Sequence, residues 1–210
     1  LSCGVVDNAA AYGSWNPLML DFISAPDEKD LIGKIQGFIK TNAPRSPFAV
    51  NPQYVDTIFT LGKQHDVNPL LVLSIAKQEN QFGSVGAAAI EKNNYFGMTH
   101  TVNGQKEYRS FASPEKGIEF FVKAVANNII DRNGYYIKQG LTNFYEYLTI
   151  HQMGFIAYPG EYPKEPGASA TPPYLFEDSL MNVRVDWNSP YAPTNYYKNS
   201  IAFINTVTGM

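Results

Sequence analysis

Apolar and polar positions between Asn68 and Gly83 recur with a helical period of about 100° per residue. Leu71, Val72, Ile75 and Ala76 fill one side of that helix, and Ser74, Lys77, Gln78 and Gln81 cluster on the other. Both ends are marked: Asn68 suits the N-cap, Pro69 the first helical position and Gly83 a left-handed stop. A second helix is predicted from Asp30, where Leu31, Ile32, Ile35, Phe38 and Ile39 share one face, and a third follows Asn51-Pro52 through Val55, Ile58 and Phe59 to about His65. Between these two, residues 41 to 50 carry Pro44 and Pro47 and read as a linker, since each proline biases its predecessor away from helix. Residues 1 to 28 lack periodicity and read as an arm lying over the domain surface.

Past Gly83, Val85 to Asn93 reads as a brief helix or turn, and Asn93-Asn94 with Gly97 three residues on favours a sharp reversal. Asn103-Gly104 is the strongest two-residue turn signal in the chain and predicts a hairpin over Met98 to Phe111. Ser113-Pro114-Glu115 opens another helix with Ile118, Val122, Val125 and Ile129 as its buried stripe, and a further helix is expected over about Leu141 to Gln152. Residues 154 to 193, rich in Pro and Tyr, form a long loop, and a last helix starts at about Thr194 with Tyr197, Ile201 and Ile204 facing inward. The sum is a mainly α chain with one small hairpin. An arm and short helix over residues 1–50 pack on a domain spanning 51–210.

Composition narrows what such a chain does. Its 210 residues are enough for one substantial core, and a net charge of -3 offers no basic field for nucleic acid. No apolar run approaches the roughly eighteen residues of a membrane span. Cys3 is the single cysteine, so no internal disulfide forms, and His65, His100 and His151 lack metal-ligand spacing. Neither a metal nor an organic cofactor is implied. Aromatic content stands out, with 14 Tyr and 13 Phe against 17% charged residues. Flat rings with a polar tip suit sugar faces, and they suit loop packing equally.

Glu79 is the candidate for chemistry. It falls within the apolar arc of its helix, a turn or two beyond Val72, Ile75 and Ala76. Burial against hydrocarbon disfavours the charged form, so a carboxyl there stays protonated near neutral pH and can donate to a leaving group. The competing reading has Glu79 ending the helix and turning to solvent or to a lysine.

Glu79, the block Asn93-Asn94-Tyr95-Phe96-Gly97, the stretch Tyr108-Arg109-Ser110-Phe111-Ala112-Ser113-Pro114 and the late Tyr191-Ala192-Pro193-Thr194-Asn195-Tyr196-Tyr197 occur in that order. The order resembles the bacterial and phage glucosaminidases of glycoside hydrolase family 73, over residues 52 to 130 and again over 191 to 205. The resemblance implies a lysozyme-like helical domain with a small β-hairpin lobe, and cleavage of peptidoglycan at the β-1,4 bond following N-acetylglucosamine. Residue by residue it implies Glu79 as general acid and Tyr197 as the tyrosine near it. Asn94, Tyr95 and Phe96 fall beside the acid, and Tyr191 joins them as a substrate contact.

Two departures from the family pattern matter. Asn80 stands where Ser is usual, and the β-lobe that commonly carries a second carboxylate is cut down to Thr99–Glu107. Glycosidases ordinarily use two carboxyl groups about 5 to 9.5 Å apart. Glu107 is the candidate for the second, against its reading as an exposed strand residue. Glu115 reads better as a first-turn acid on the helix dipole, while Asp186 and Glu177 lie in the long loop. Without a second carboxylate, the substrate's own acetamido group supplies the assistance. A muramidase or a lytic transglycosylase on the same fold, and a non-catalytic wall-binding or structural module, are the alternatives. The expected partner is the peptidoglycan glycan strand. The expected setting is extracellular, at the cell wall or on a phage particle, with the chain free to be one part of a multidomain protein or phage tail assembly.

Overall fold

Residues 15–22, 24–127, 148 and 193–209 of the computed structural model are described here. They form α1 (Glu28–Asn42), α2 (Pro47–Val50), α3 (Gln53–His65), α4 (Pro69–Asn80), α5 (Ala87–Lys92), β1 (Thr99–Val102), β2 (Gln105–Tyr108), α6 (Pro114–Val125) and α7 (Pro193–Thr208). The two strands pair antiparallel, with Thr99 opposite Tyr108 and His100 opposite Glu107. The fold is therefore helical with a small β-ribbon, the lysozyme-like arrangement that the resemblance implies.

Local chemistry places the helix starts where the capping residues put them. Asp27, Ser46, Asn68 and Ser113 each accept a hydrogen bond from a backbone N–H in the first turn of α1, α2, α4 and α6. Each such cap contributes on the order of 1 kcal/mol. Ser46 also donates to the Phe82 carbonyl at 2.6 Å, which ties the start of α2 to the end of α4. This is why 41–50 is not the plain linker its prolines suggested: Pro47 occupies the first helical position, and Phe48 is driven into the core.

Helix α4 departs from its predicted amphipathic pattern. Every residue from Pro69 to Ala76 is buried, Ser74 included, so the first two turns have no solvent face. Only Lys77, Gln78 and Glu79 near the C-terminus are half-buried. The helix also stops earlier than expected. Gln81 takes the left-handed cap, at φ 49°, and its N–H bonds back to carbonyls of the last turn. Gly83 serves another purpose: a Cβ there would sit 2.5 Å from the Tyr95 ring, so the glycine lets that ring lie flat against the turn.

One core surrounds α4. Ile35 and Ile39 of α1, Val55 and Ile58 of α3, Ile118 and Val122 of α6, and Phe203 and Ile204 of α7 are buried in a single cluster with it. Complete burial of each such side chain contributes about 1.5–3 kcal/mol. The stripe on α6 gains Phe121, and Ile129 lies outside the described residues. So does the helix expected over 141–152, except that Leu148 is helical and buried, and so does all but the end of the loop at 154–193. Of the arm, Pro17 and Met19 offer carbonyls to the Asn68 side chain, and Leu20 enters the core.

Candidate active site

Glu79 sits on the last turn of α4, and the chain that follows is folded back to face it. The reversal depends on buried asparagines. The Asn80 side chain accepts from the Gly83 N–H at 2.8 Å and donates to the Asn94 carbonyl at 3.3 Å. Asn94, with no exposed surface, donates to the carbonyls of Met98 and Arg109 at 2.7 and 3.0 Å and accepts from the Met98 N–H at 2.9 Å. One side chain thus clamps both rails of the ribbon at its root. Asn103 and Gly104, both at positive φ, form the tip as their sequence predicts.

Tyr95 and Phe96 anchor the segment between these asparagines, each 1% exposed. Tyr95 meets Phe48 edge-on at 5.3 Å, and Phe96 stacks on Phe121 of α6 at 4.1 Å with the rings nearly parallel, 6° apart. Burial, with smaller pushes from Tyr54 and Glu115, moves the Tyr95 hydroxyl up to about 12. Behind the ribbon, the Arg109 guanidinium lies 4.9 Å over the Phe120 ring, which in turn packs on Phe111.

Between the end of α4 and the ribbon opens a cleft of about 640 Å³, lined by Glu79, Phe96, Gly97, Met98, Thr99, Lys106, Glu107 and Tyr108. That size is ordinary for small-ligand sites. Gly97 is the closest neighbour in its wall to the acid. Its φ is +66°, and a Cβ there would stand 2.9 Å from Oε2 of Glu79 and 3.3 Å from its Cδ. On the other side the Tyr196 hydroxyl donates to Oε1 at 3.2 Å. The carboxyl is held between a glycine and a phenol. Lys77, half-buried two residues earlier in the same helix, has its ammonium pushed below the usual lysine range by desolvation.

The predicted residues distribute as follows around this cleft. Glu79 and Glu107 line it together, and the Glu107 carboxylate is paired with His100 Nε2 at 3.1 Å across the ribbon. Asn94 and Tyr95 lie beneath it, and Phe96 forms part of its wall. Tyr191 lies outside the described residues. The Tyr196 hydroxyl reaches Glu79, and Tyr197, next along the helix, is partly buried against the core. The inward stripe of α7 runs Tyr196, Ser200, Phe203, Ile204 and Val207, one position out of phase with the Tyr197-Ile201 spacing read from the sequence. Lys106 was not singled out by sequence, and Gly97 and Tyr108 were legible only as members of the motif blocks, not as residues lining a site. Among the described residues no group of three or more His, Cys, Asp or Glu side chains is placed to hold a metal ion, and no helix is long and apolar enough to cross a membrane.

Known proteins bear on the same cleft. A family model described as Glucosaminidase, mannosyl-glycoprotein endo-beta-N-acetylglucosaminidase, matches residues 55–208, which take in every described residue lining the cleft and the tyrosine above it. No curated protein and no solved structure gives a significant match. With well over half its length inside that match, the chain belongs to the glucosaminidase family of glycoside hydrolases.

Proposed function

We propose that the cleft cuts peptidoglycan glycan strands as an endo-β-N-acetylglucosaminidase with Glu79 as its general acid. The observation that carries the assignment of the acid is the setting of the Glu79 carboxyl, half-buried at the cleft wall with Gly97 against one oxygen and the Tyr196 hydroxyl on the other. A carboxyl fixed in that way is poised to protonate a glycosidic oxygen, a contribution of about 10²–10⁴ in rate. Glu107 is the second carboxyl of this reading: it shares the cleft, and its pairing with His100 fixes its orientation. Asn94, Tyr95 and Phe96 form the frame beneath the bond being cut, and Tyr197 supports the helix that carries Tyr196. The substrate lies outside the cytoplasm, so the chain acts extracellularly, at the wall.

Glu79→Gln is expected to stop the clearing of a purified cell-wall suspension while leaving the circular dichroism spectrum unchanged. Mass spectrometry of borohydride-reduced products then reads the bond: reduced N-acetylglucosamine ends accord with this function, and anhydro-muramyl ends would assign the chemistry to a transglycosylase. Retained clearing by Glu79→Gln would remove Glu79 from the mechanism.

A second reading of the other carboxyl has one specific observation in its favour. Side chains alternate along a strand, so Glu107 and its partner His100 belong to the ribbon face opposite Thr99, Lys106 and Tyr108. Assistance by the substrate's own acetamido group needs no such residue. Glu107→Gln separates the two: a loss of 10²-fold or more supports the two-carboxyl mechanism, and near-normal turnover supports the substrate-assisted one.

A further inference from the structure

Lys106 and Tyr108 are two residues apart on β2, so they share one face of the ribbon, about 7 Å apart along it, with Thr99 directly opposite Tyr108. All three line the cleft that holds Glu79. Tyr108 is 51% exposed, whereas Tyr95 and Phe96 are each 1% exposed and spent on the core. Among the described residues of the cleft lining, Tyr108 is therefore the aromatic ring exposed enough to lie against a sugar. Lys106 is exposed, and none of the ion pairs among the described residues engages it.

The charge of the cleft makes that ammonium informative. Glu79 and Glu107 both line the site, on a chain of net charge -3. An anionic polymer entering there meets like charge unless a local cation offsets it. Among the described residues of the cleft lining, Lys106 is the one lysine and there is no arginine.

We propose that the Lys106–Tyr108 face of β2 is a subsite for the acidic sugar of the strand. Tyr108 stacks on the pyranose ring, and Lys106 takes a carboxylate carried on that sugar. The inference rests on the cleft being the glycan site, and it adds how the site prefers an acidic polymer to a neutral one. The carboxylate has two sources: the lactyl group of a strand stripped of its peptides, or the stem peptide of an intact one.

The test is binding, read by cosedimentation in the cold with sacculi freed of phosphate polymers, so it does not depend on which residue is the acid. Lys106→Met is expected to weaken binding to untreated sacculi about tenfold and to match the wild type on sacculi whose carboxyl groups have been amidated. Lys106→Arg, which keeps the charge, restores most of the affinity. Tyr108→Ala is expected to weaken binding to both preparations alike, since stacking ignores charge. A Lys106→Met effect on amidase-stripped sacculi assigns the lactyl carboxylate, and one confined to intact sacculi assigns the stem. Equal binding of Lys106→Met and wild type to both untreated and amidase-stripped sacculi, or a deficit that survives amidation, overturns the proposal. The clearing assay on Glu79→Gln fails or succeeds separately from either result.

Discussion

The Tyr196 hydroxyl donates to Oε1 of Glu79 at 3.2 Å, joining residues 117 positions apart in the chain. The contact couples α7 directly to a carboxyl that lines the cleft. Tyr196 is fully buried, so its ring belongs to the core while its hydroxyl reaches the Glu79 carboxyl at the cleft wall. Tyr196→Phe keeps the ring and removes the donor. It is expected to lower turnover by about tenfold or more while costing about 0.5–1.5 kcal/mol of stability, with initial clearing rates and urea midpoints read on the same preparation. Unchanged turnover would reduce the contact to packing.

Gly97 permits an approach that no side chain tolerates. Alanine there meets Oε2 of Glu79 at 2.9 Å and also inherits a backbone at φ +66°. The backbone penalty alone is about 1 kcal/mol or more, and the carboxyl has to turn away from its place. Gly97→Ala is expected to fold, with a lowered melting temperature, and to lose activity out of proportion to that drop. Activity falling only as far as the folded fraction falls would show that the carboxyl has room to spare.

Asn94 carries both rails of the ribbon. Asn94→Ala strands the Arg109 carbonyl and the Met98 N–H in a part-buried setting, while the Met98 carbonyl keeps the Arg109 N–H at 2.9 Å. Each buried group left without a partner costs about 1–3 kcal/mol, so a total of several kcal/mol is expected in urea unfolding. Hydrogen exchange at the Met98 and Arg109 amides should accelerate more than exchange within α3. Uniform acceleration across the chain would contradict a local clamp.

Alkaline pH acts on the tyrosines beneath the cleft. Burial raises the Tyr95 hydroxyl to about 12 and raises Tyr54 in the same direction, with Glu115 reinforcing both. The unfolded chain releases these protons near pH 10, while the native chain holds them. Stability is therefore intact below pH 10 and falls as pH rises from about 10 towards 12, by on the order of 2 kcal/mol for Tyr95. Tyr95→Phe should flatten that part of the profile when melting temperatures are compared at pH 9 and 11. An equally steep decline in the variant would place the cause elsewhere.

The sequence announced its local elements and was weakest where distant segments meet. Asn68-Pro69, Ser113-Pro114 and Asn103-Gly104 act within a few residues of themselves, and each forms the cap or turn its chemistry dictates. Ser74 misled because a polar residue at helical spacing reads as a solvent face, and only the helices packed on both sides of α4 make it a core position. Two adjacent tyrosines leave the phase of α7 ambiguous in the sequence, and the phase that buries Tyr196 is fixed by Phe203, Ile204 and Val207 packing inward. The order of the motif blocks was legible. That Tyr95 and Phe96 would face the core and leave Tyr108 to face the cleft was not, since ring direction depends on Phe48 and Phe121 from other elements.

Among the described residues the ribbon is fastened at its root: Asn94 grips it there, and the Asn103-Gly104 tip stands four residues out along each strand. A lever pinned at its base can be lengthened, shortened or re-tipped without disturbing the seat of the acid. The Glu79 carboxyl and the tip of the hairpin are thereby carried on separate elements, and lengthening the hairpin at Asn103-Gly104 becomes a rational way to change what the cleft accepts.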